Sequence, residues 1–138
     1  MKSYEEAAEE LKSYRKLYYM ILRKKQRLAE LKKRFLAIKV QDFKERVQGG
    51  DIENDWKTRL LSDIDELERE IANDITSVEK LARRIEQKID ALNFPYNEVL
   101  ARHYIRFETL DKIATELDYD LRYVKKLKAK AINFYKII

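Results

Sequence analysis

The residues best suited to chemistry lie near the end of this 138-residue chain. Between Asp120 and Ile138 the sequence holds six lysines and arginines, and Asp120 is the only acid. Ammonium and guanidinium groups at this density bind phosphate, which is typical of contact with a nucleic acid. An aromatic ring at the start of such a segment can also stack on a base. The candidate contacts are Arg122, Tyr123, Lys125, Lys126, Lys128 and Lys130.

The same segment has the apolar spacing of a helix. Asp120 is placed to cap its N-terminus, and the basic residues fall on the side opposite the apolar ones. The predicted apolar face consists of Val124, Leu127, Ala131 and Phe134. A plainer interpretation stays open, in which a basic amphipathic helix covers a helical bundle and keeps its lysines in water.

Two shorter helices are predicted before the basic one. Pro95 ends the preceding helix, and residues 96–105 form a new helix with Val99, Leu100, Tyr104 and Ile105 inward. A helix of about two turns then starts at a Thr109 cap and ends before residues 118–120. Small residues at Ala114 and Ala131 allow these helices to approach closely. The three helices together have the layout of a helix-turn-helix domain.

Residues 99–105, 109–119 and 124–132 carry a family resemblance. They resemble the C-terminal region-four-like helix-turn-helix of sigma factors and, more closely, small phage and prophage regulators of the ArpU, RinA and LtrC type. Residues 45–50 are similar to the Arg-Val-Gln loop of those regulators. The resemblance covers residues 40–138 and implies a cytoplasmic protein of a bacterial host that binds double-stranded DNA to regulate transcription.

The turns depart from the family pattern. Relatives usually have a glycine in each turn, whereas this chain has residues 106–108 and Asp118, and aspartate can adopt the left-handed conformation. Relatives also usually have a serine and a polar residue where this chain has Asp120 and Leu121. Asp120 repels phosphate, and Leu121 is limited to apolar contact with a thymine methyl group. These two positions bear directly on the preferred DNA sequence.

The rest of the chain predicts two long amphipathic helices. With 45% hydrophobic and 40% charged residues, two glycines and one proline, the composition favours an all-α protein. The first apolar stripe is Tyr4, Ala7, Leu11, Tyr14, Tyr18, Ile21, Leu28, Phe35 and Ile38. The second is Trp56, Leu60, Ile64, Leu67, Ile71, Ile75, Val78, Leu81, Ile85, Ile89 and Leu92. We therefore expect a coiled-coil-like antiparallel hairpin over residues 1–93, with its turn near 47–51, followed by the helix-turn-helix domain at 94–138.

The two predicted helices carry opposite charge. Residues 1–46 hold 14 cations and 7 acids, and residues 51–95 hold 7 cations and 12 acids. The basic groups of the first helix either follow a phosphate backbone or pair with acids of the second, for instance those of residues 63–70. Pairing is favoured because opposite charges also select the orientation of the two helices.

The apolar surface of the hairpin is wider than one seam requires, at residues 18–22 and again at Leu60 and Leu61. A homodimer would cover it and would also place two basic helices in successive major grooves. The alternative is a monomer in which this surface packs on the C-terminal helices, with residues 134–138 supplying apolar contacts.

An enzyme is not expected. The chain has no cysteine and one histidine, His103, which lies inside a predicted helix and is expected to be structural. No Glu-x-x-His pair or glycine-rich phosphate loop is present, so no catalytic residue, metal or cofactor is predicted. No apolar run of about 18 residues suggests a membrane span, and the acidic N-terminus is unlike a signal peptide.

Two functions from different classes remain. The first is a phage-type transcriptional regulator that binds DNA through residues 122–130 and oligomerises through the hairpin. The second is a protein-interaction module in which the sigma-like domain binds RNA polymerase or another regulator. Leu121 and the neighbouring acids Asp118 and Asp120 favour the second slightly.

Overall fold

The computed structural model describes residues 2–47 and 55–138, with side chains omitted at positions 42, 45–47 and 55. The helices are α1 (Tyr4–Val47), α2 (Asp55–Asp90), α3 (Tyr96–Leu100), a π-helical segment (Ala101–Ile105), α4 (Leu110–Leu117) and α5 (Leu121–Tyr135). No strand occurs in these residues, and the protein is all-α, as the sequence predicts. No helix in the described ranges combines the length and apolar character that crossing a bilayer requires.

The connection between α1 and α2 falls outside the described residues. It includes the glycine pair of the turn predicted near 47–51. The side chains that carry the resemblance at residues 45–50 fall outside them as well.

The chain divides into two compact units. The large unit comprises the chain up to Tyr18 together with Ser77–Ile138, and the small unit comprises Tyr19–Thr76. This grouping cuts across the predicted domains 1–93 and 94–138, because the C-terminal helices pack against the ends of both long helices. Whether residues 94–138 fold by themselves stays a prediction.

The small unit consists of one stretch of α1 and one of α2. Among its described residues the buried ones all belong to the predicted stripes: Ile21, Leu60, Ile64, Leu67 and Ile71. Lys24 of α1 pairs with Asp74 of α2 at 2.5 Å, and Lys32 pairs with Glu68 at 3.4 Å. As the position advances along α1 its partner recedes along α2, so the two stretches run antiparallel. These contacts confirm the predicted pairing of basic and acidic helices.

The large unit has two apolar clusters. One joins α1, α2 and the C-terminal helices through Ala7, Leu11, Ile85, Ile89, Leu92, Leu100, Tyr104, Ala131, Ile132 and Tyr135. The other lies among α3, α4 and α5 and consists of Val99, Ile113, Ala114, Val124 and Leu127. Burial of apolar surface stabilises a fold by about 25 cal/mol per Å², so these two clusters hold the helices of the large unit together.

One buried carboxylate binds three cations from two segments of the large unit, the N-terminus and α2. Glu10 has a side chain that is 7% exposed and lies 2.5 Å from Lys2, 3.0 Å from Arg84 and 3.2 Å from Lys88. Burial raises the pKa of this carboxyl, but its bonds to Lys2 and Lys88 outweigh burial and bring the pKa below its ordinary value. Glu10 therefore ties the start of α1 to the end of α2.

One predicted helix-face residue is wrong, and one predicted helix changes type along its length. Phe134 was expected on the buried face of α5, yet it is 46% exposed, and Tyr135 is buried instead. The reason is helical periodicity, since Tyr135 lies four residues after Ala131 and continues the same face. The helix predicted over residues 96–105 is α-helical only to Leu100. Beyond it the Arg106 N–H donates to the Ala101 carbonyl at 3.1 Å, the i to i+5 bond of a π-helix.

Candidate nucleic-acid interface

Helix α4 has a defined start and end. The Thr109 side chain accepts a hydrogen bond from the Lys112 N–H at 3.2 Å, which confirms the predicted cap. At the other end Asp118 adopts the left-handed conformation with φ 60°, and the Tyr119 N–H donates to the Ala114 carbonyl at 2.9 Å. Asp118 therefore forms this turn in place of a glycine.

Asp120 holds the N-cap position of α5, with φ −68° and ψ 145°. Its side chain makes no capping hydrogen bond, so the predicted side-chain cap is wrong. The backbone carbonyl of Asp120 accepts the Val124 N–H at 3.0 Å, which is enough to start the helix. The carboxylate is exposed to solvent beside the first turn of α5.

Helix α5 has one buried and one exposed side. Val124, Leu127, Ala131 and Tyr135 form the buried side and fix the helix against α3 and α4. Five of the six predicted contact residues are exposed: Arg122, Tyr123, Lys125, Lys126 and Lys130. The Tyr123 ring is 47% exposed and meets Tyr119 edge to face at 5.2 Å. The structure thus brings these predicted residues to the surface of one helix.

Lys128 is the exception among the predicted contacts, because it is partly buried. Burial lowers the pKa of its ammonium group, and the positive charges of Lys12 and Lys125 lower it further. An ammonium group in this position gains from a nearby anion, since an anion would replace lost hydration and offset the like charges.

The exposed cations of α5 are not neutralised by the protein. Within residues 2–47 and 55–138, Arg122, Lys125, Lys126 and Lys130 form no ion pair. Two acids of the preceding segments are engaged by other cations, and the first of them, Glu108, binds Arg102 at 2.7 Å and Lys112 at 3.3 Å. Glu116 also pairs with Arg102. The positive field of α5 is therefore available to an outside polyanion.

A groove of about 350 Å³ lies in the large unit between α1, α4 and α5. Its lining residues are Arg15, His103, Phe107, Glu108, Thr109, Leu110, Asp111, Leu121 and Lys125. The sequence indicates Arg15 only as part of the basic first helix and gives no sign that it shares a groove with Lys125. The available signal was the three-residue spacing of Lys12 and Arg15 next to the apolar stripe at Ala7 and Leu11, which predicts that both lie on the border of the buried face.

His103 links the π-helical segment to the turn that follows it. Its Nδ1 lies 2.9 Å from the Glu108 carbonyl, which can only accept, so this nitrogen carries the proton. Burial lowers the pKa of the imidazole. The bond to Glu108 raises it, while the charges of Lys128 and Arg15 lower it. No group of three histidine or acidic side chains in the described ranges is arranged to hold a metal ion.

The fold and this surface define an all-α protein with an exposed basic helix. Comparison with known proteins found no matching family model, no matching curated protein and no matching solved structure.

Proposed function

We propose that the protein is a DNA-binding transcriptional regulator of the phage type, with α4, the turn at Asp118 and α5 acting as its helix-turn-helix. The observation behind this proposal is the pair of opposite faces on α5. One face is anchored in the core, and the other presents Arg122, Lys125, Lys126 and Lys130 without an acid partner in the described chain.

In this proposal α5 enters the major groove with its N-terminal half. Arg122, Tyr123, Lys125 and Lys126 approach base edges or phosphates, because the first turns of such a helix lie deepest in the groove. Lys128 and Lys130 contact the backbone, which positions the helix but contributes no sequence information. The partly buried Lys128 suits this role, since a phosphate would offset the charges of Lys12 and Lys125.

The proposal includes a homodimer formed through the N-terminal helices. Helix-turn-helix proteins commonly pair so that two recognition helices reach successive major grooves, which are about 34 Å apart. Apolar residues left exposed on α1, such as Leu36, Val40 and Phe43, would supply contact surface for the second copy.

A second candidate is a protein-interaction module that binds RNA polymerase or another regulator. It is favoured by the exposed acids Asp118 and Asp120 beside Leu121 at the start of α5. Carboxylates at this position repel a phosphate backbone but are compatible with a basic protein surface.

The test is selection of bound fragments from the source genome, followed by titration of the selected duplex at increasing salt. We expect binding that weakens steeply with salt, since every phosphate contact releases counterions. The Lys125→Ala/Lys126→Ala variant should lose this binding. The matched control, Lys80→Ala/Arg83→Ala, removes two exposed cations of α2 in the large unit and should bind as the unmodified chain does.

Failure to enrich any fragment, together with no binding to duplex DNA at low salt, would refute the regulator proposal. Retained binding to purified RNA polymerase under those conditions would then support the interaction module, and that binding should be sensitive to Asp118→Asn/Asp120→Asn.

A further inference from the structure

The small unit has a second stripe of apolar side chains on α1, beside the one that packs on α2. Its members are Leu22, Ala29, Leu36 and Phe43, with Val40 next to them. The first four repeat at seven-residue spacing, which is the period of a helix that packs lengthwise against another helix. Leu36 is 61% exposed, so the described chain leaves this second stripe largely open to solvent.

Helix α2 adds to the same face of the small unit. The pair of Lys32 with Glu68 at 3.4 Å marks one edge along which the two helices meet. Leu36 follows Lys32 by four residues, and so lies on the side of α1 that this pair marks. Leu61 precedes Glu68 by seven residues and lies on the corresponding side of α2, where it is 45% exposed. We call the surface formed by the second stripe and Leu61 the apolar face.

The opposite side of the small unit is polar. Arg27 and Leu36 are nine residues apart, and two and a half turns place them on opposite sides of α1. The same spacing separates Leu61 from Glu70 on α2. Arg27 and Glu70 line one groove, together with Asp63 and Glu66. The exposed leucines therefore lie on one face and the charged groove on the other, a division typical of helices that bind a further protein surface.

The apolar face is basic on its α1 side and acidic on its α2 side. Lys25 and Lys33 are exposed beside the second stripe, and Asp65 is exposed four residues after Leu61. Within residues 2–47 and 55–138 these three side chains form no ion pair. A second copy that places its α2 against this α1 brings opposite charges together, whereas α1 against α1 brings like charges together.

The apolar face has nearly the size that a dimer interface needs. From Leu22 to Phe43 the second stripe is about 32 Å long, at 1.5 Å per residue. Two helices side by side are about 20 Å wide, so the face covers roughly 600 Å². A typical stable interface covers about 800 Å² on each partner. The face therefore supplies most of the surface that such an interface requires.

We propose that the apolar face binds the same face of a second copy of this chain, with α1 of each copy against α2 of the other in a four-helix bundle. The inference rests on the homodimer of the proposed function, and it assigns the surface and the arrangement of that dimer. A two-fold axis parallel to the helices produces this arrangement and keeps every residue at its own level along the bundle. Because Lys32 lies opposite Glu68, Lys33 of one copy is then nearly level with Asp65 of the other.

The first test is sedimentation equilibrium of the full chain over a range of concentrations. The unmodified chain should have twice the mass of one copy. Leu36→Gln/Leu61→Gln should raise the dissociation constant of the dimer by about 100-fold, because a two-fold axis makes each substitution act twice. The matched control, Phe94→Gln/Ile137→Gln, changes two exposed apolar residues of the large unit and should leave this constant unchanged.

The second test reverses charge on one helix at a time. Lys33→Glu and Asp65→Lys, each alone, should weaken the dimer by about tenfold at low salt, since each brings like charges together twice. An equimolar mixture of the two variants should form a heterodimer within about twofold of the unmodified affinity, because reversed α1 then faces reversed α2. Packing of α1 against α1 predicts no weakening by Lys33→Glu, and that result would overturn the proposed arrangement.

The outcomes distinguish this proposal from the one on which it rests. If the unmodified chain is a dimer and Leu36→Gln/Leu61→Gln dimerises equally well, the apolar face is not the interface, and the homodimer uses another surface. If the unmodified chain is a monomer at every concentration, the dimer is wrong and the face is left to a different protein. Titration with a duplex of one half-site then decides the regulator proposal separately, because α5 belongs to the large unit. Circular dichroism and the unfolding midpoint check that every variant is folded.

Discussion

The turns on either side of α4 solve the same backbone problem in different ways. Each contains a residue other than glycine in the left-handed region, Phe107 at φ 59° and Asp118 at φ 60°. This conformation costs roughly 1–2 kcal/mol for most residues and less for aspartate. Asp118 is exposed and its turn is closed by the Tyr119 N–H, whereas Phe107 is partly buried among aromatic rings.

The turn at Phe107 is held by many more contacts. The Phe107 ring lies 5.7 Å from Tyr14 and 5.1 Å from Tyr18, both on α1. The next residue, Glu108, donates its backbone N–H to the Arg102 carbonyl at 2.9 Å. Its carboxylate accepts from the Arg102 guanidinium at 2.7 Å. The bulky Phe107 thus keeps a left-handed conformation where side-chain contacts offset its cost, and aspartate, for which the cost is lower, occupies the turn that lacks such contacts.

The largest effect is expected from Phe107→Ala. Alanine keeps the cost of positive φ and loses the ring contacts, so stability to urea should fall by about 3 kcal/mol, the low end for phenylalanine because the ring is partly exposed. Phe107→Gly loses the same ring, but glycine adopts positive φ without a steric cost. It should therefore be about 1 kcal/mol more stable than the alanine variant. Phe94→Ala, at a residue that is 63% exposed, is the control and should change little. Equal stabilities for the glycine and alanine variants would show that the backbone of this turn is unstrained.

Arg102→Gln tests the ion pair that closes the same turn. Arg102 is 8% exposed, and its loss leaves Glu108 with Lys112 as its remaining cation partner in the described chain. We expect the free energy of unfolding to fall by about 2 kcal/mol at neutral pH, which is the usual contribution of a hydrogen bond between charged groups.

The pH dependence of this loss is a further check on Arg102→Gln. The bond to Arg102 holds the pKa of Glu108 below its ordinary value of 4.5. A carboxyl with a lowered folded-state pKa contributes stability that is complete above 4.5 and disappears as pH falls through the folded-state pKa. The difference in free energy of unfolding between the unmodified chain and Arg102→Gln should therefore become smaller below pH 4.5, as measured by urea titrations. If this difference in free energy of unfolding stays constant down to pH 2, the lower stability of Arg102→Gln comes from lost packing and not from lost charge.

The smallest effect is expected at the other turn. Asp118→Gly removes the residual cost of positive φ and should raise stability by up to about 1 kcal/mol, measured as the unfolding midpoint. It also removes an acid near α5, so affinity for the selected duplex should rise by a few fold. Asp118→Asn, which removes the charge and keeps a side chain tolerant of this conformation, separates the two effects. A fall in stability for the glycine variant would mean that the Asp118 side chain supports the turn in a way that its backbone geometry does not reveal.

The main elements were predictable from the sequence because their signals are local. Apolar residues at three- and four-residue intervals predict α2 and α5, and Thr109 gives the start of α4 at the right residue. The exposed cations follow from the same periodicity, since Arg122, Lys125 and Lys126 lie opposite Val124 and Leu127. The opposite charges of the two long helices likewise predict that they pair.

The unpredicted features depend on contacts distant in sequence. The π-helical segment is recognisable only once the chain has folded, because residues 101–105 have ordinary helical preferences. Phe107 has no sequence signal for positive φ, and the rings that accommodate it lie on α1, about ninety positions earlier in the chain. The same separation hid the approach of Arg15 to Lys125.

The packing of Ala131, Ile132 and Tyr135 has a consequence for protein engineering. These residues of α5 share a core with Ala7 and Leu11 of α1 and with Ile85 and Ile89 of α2. A chimera that fuses residues 94–138 alone to a foreign partner would therefore expose this face of α5 to water. A chimera in which this face of α5 stays buried should also include residues 2–18 and 77–93. A short designed linker would then replace the small unit.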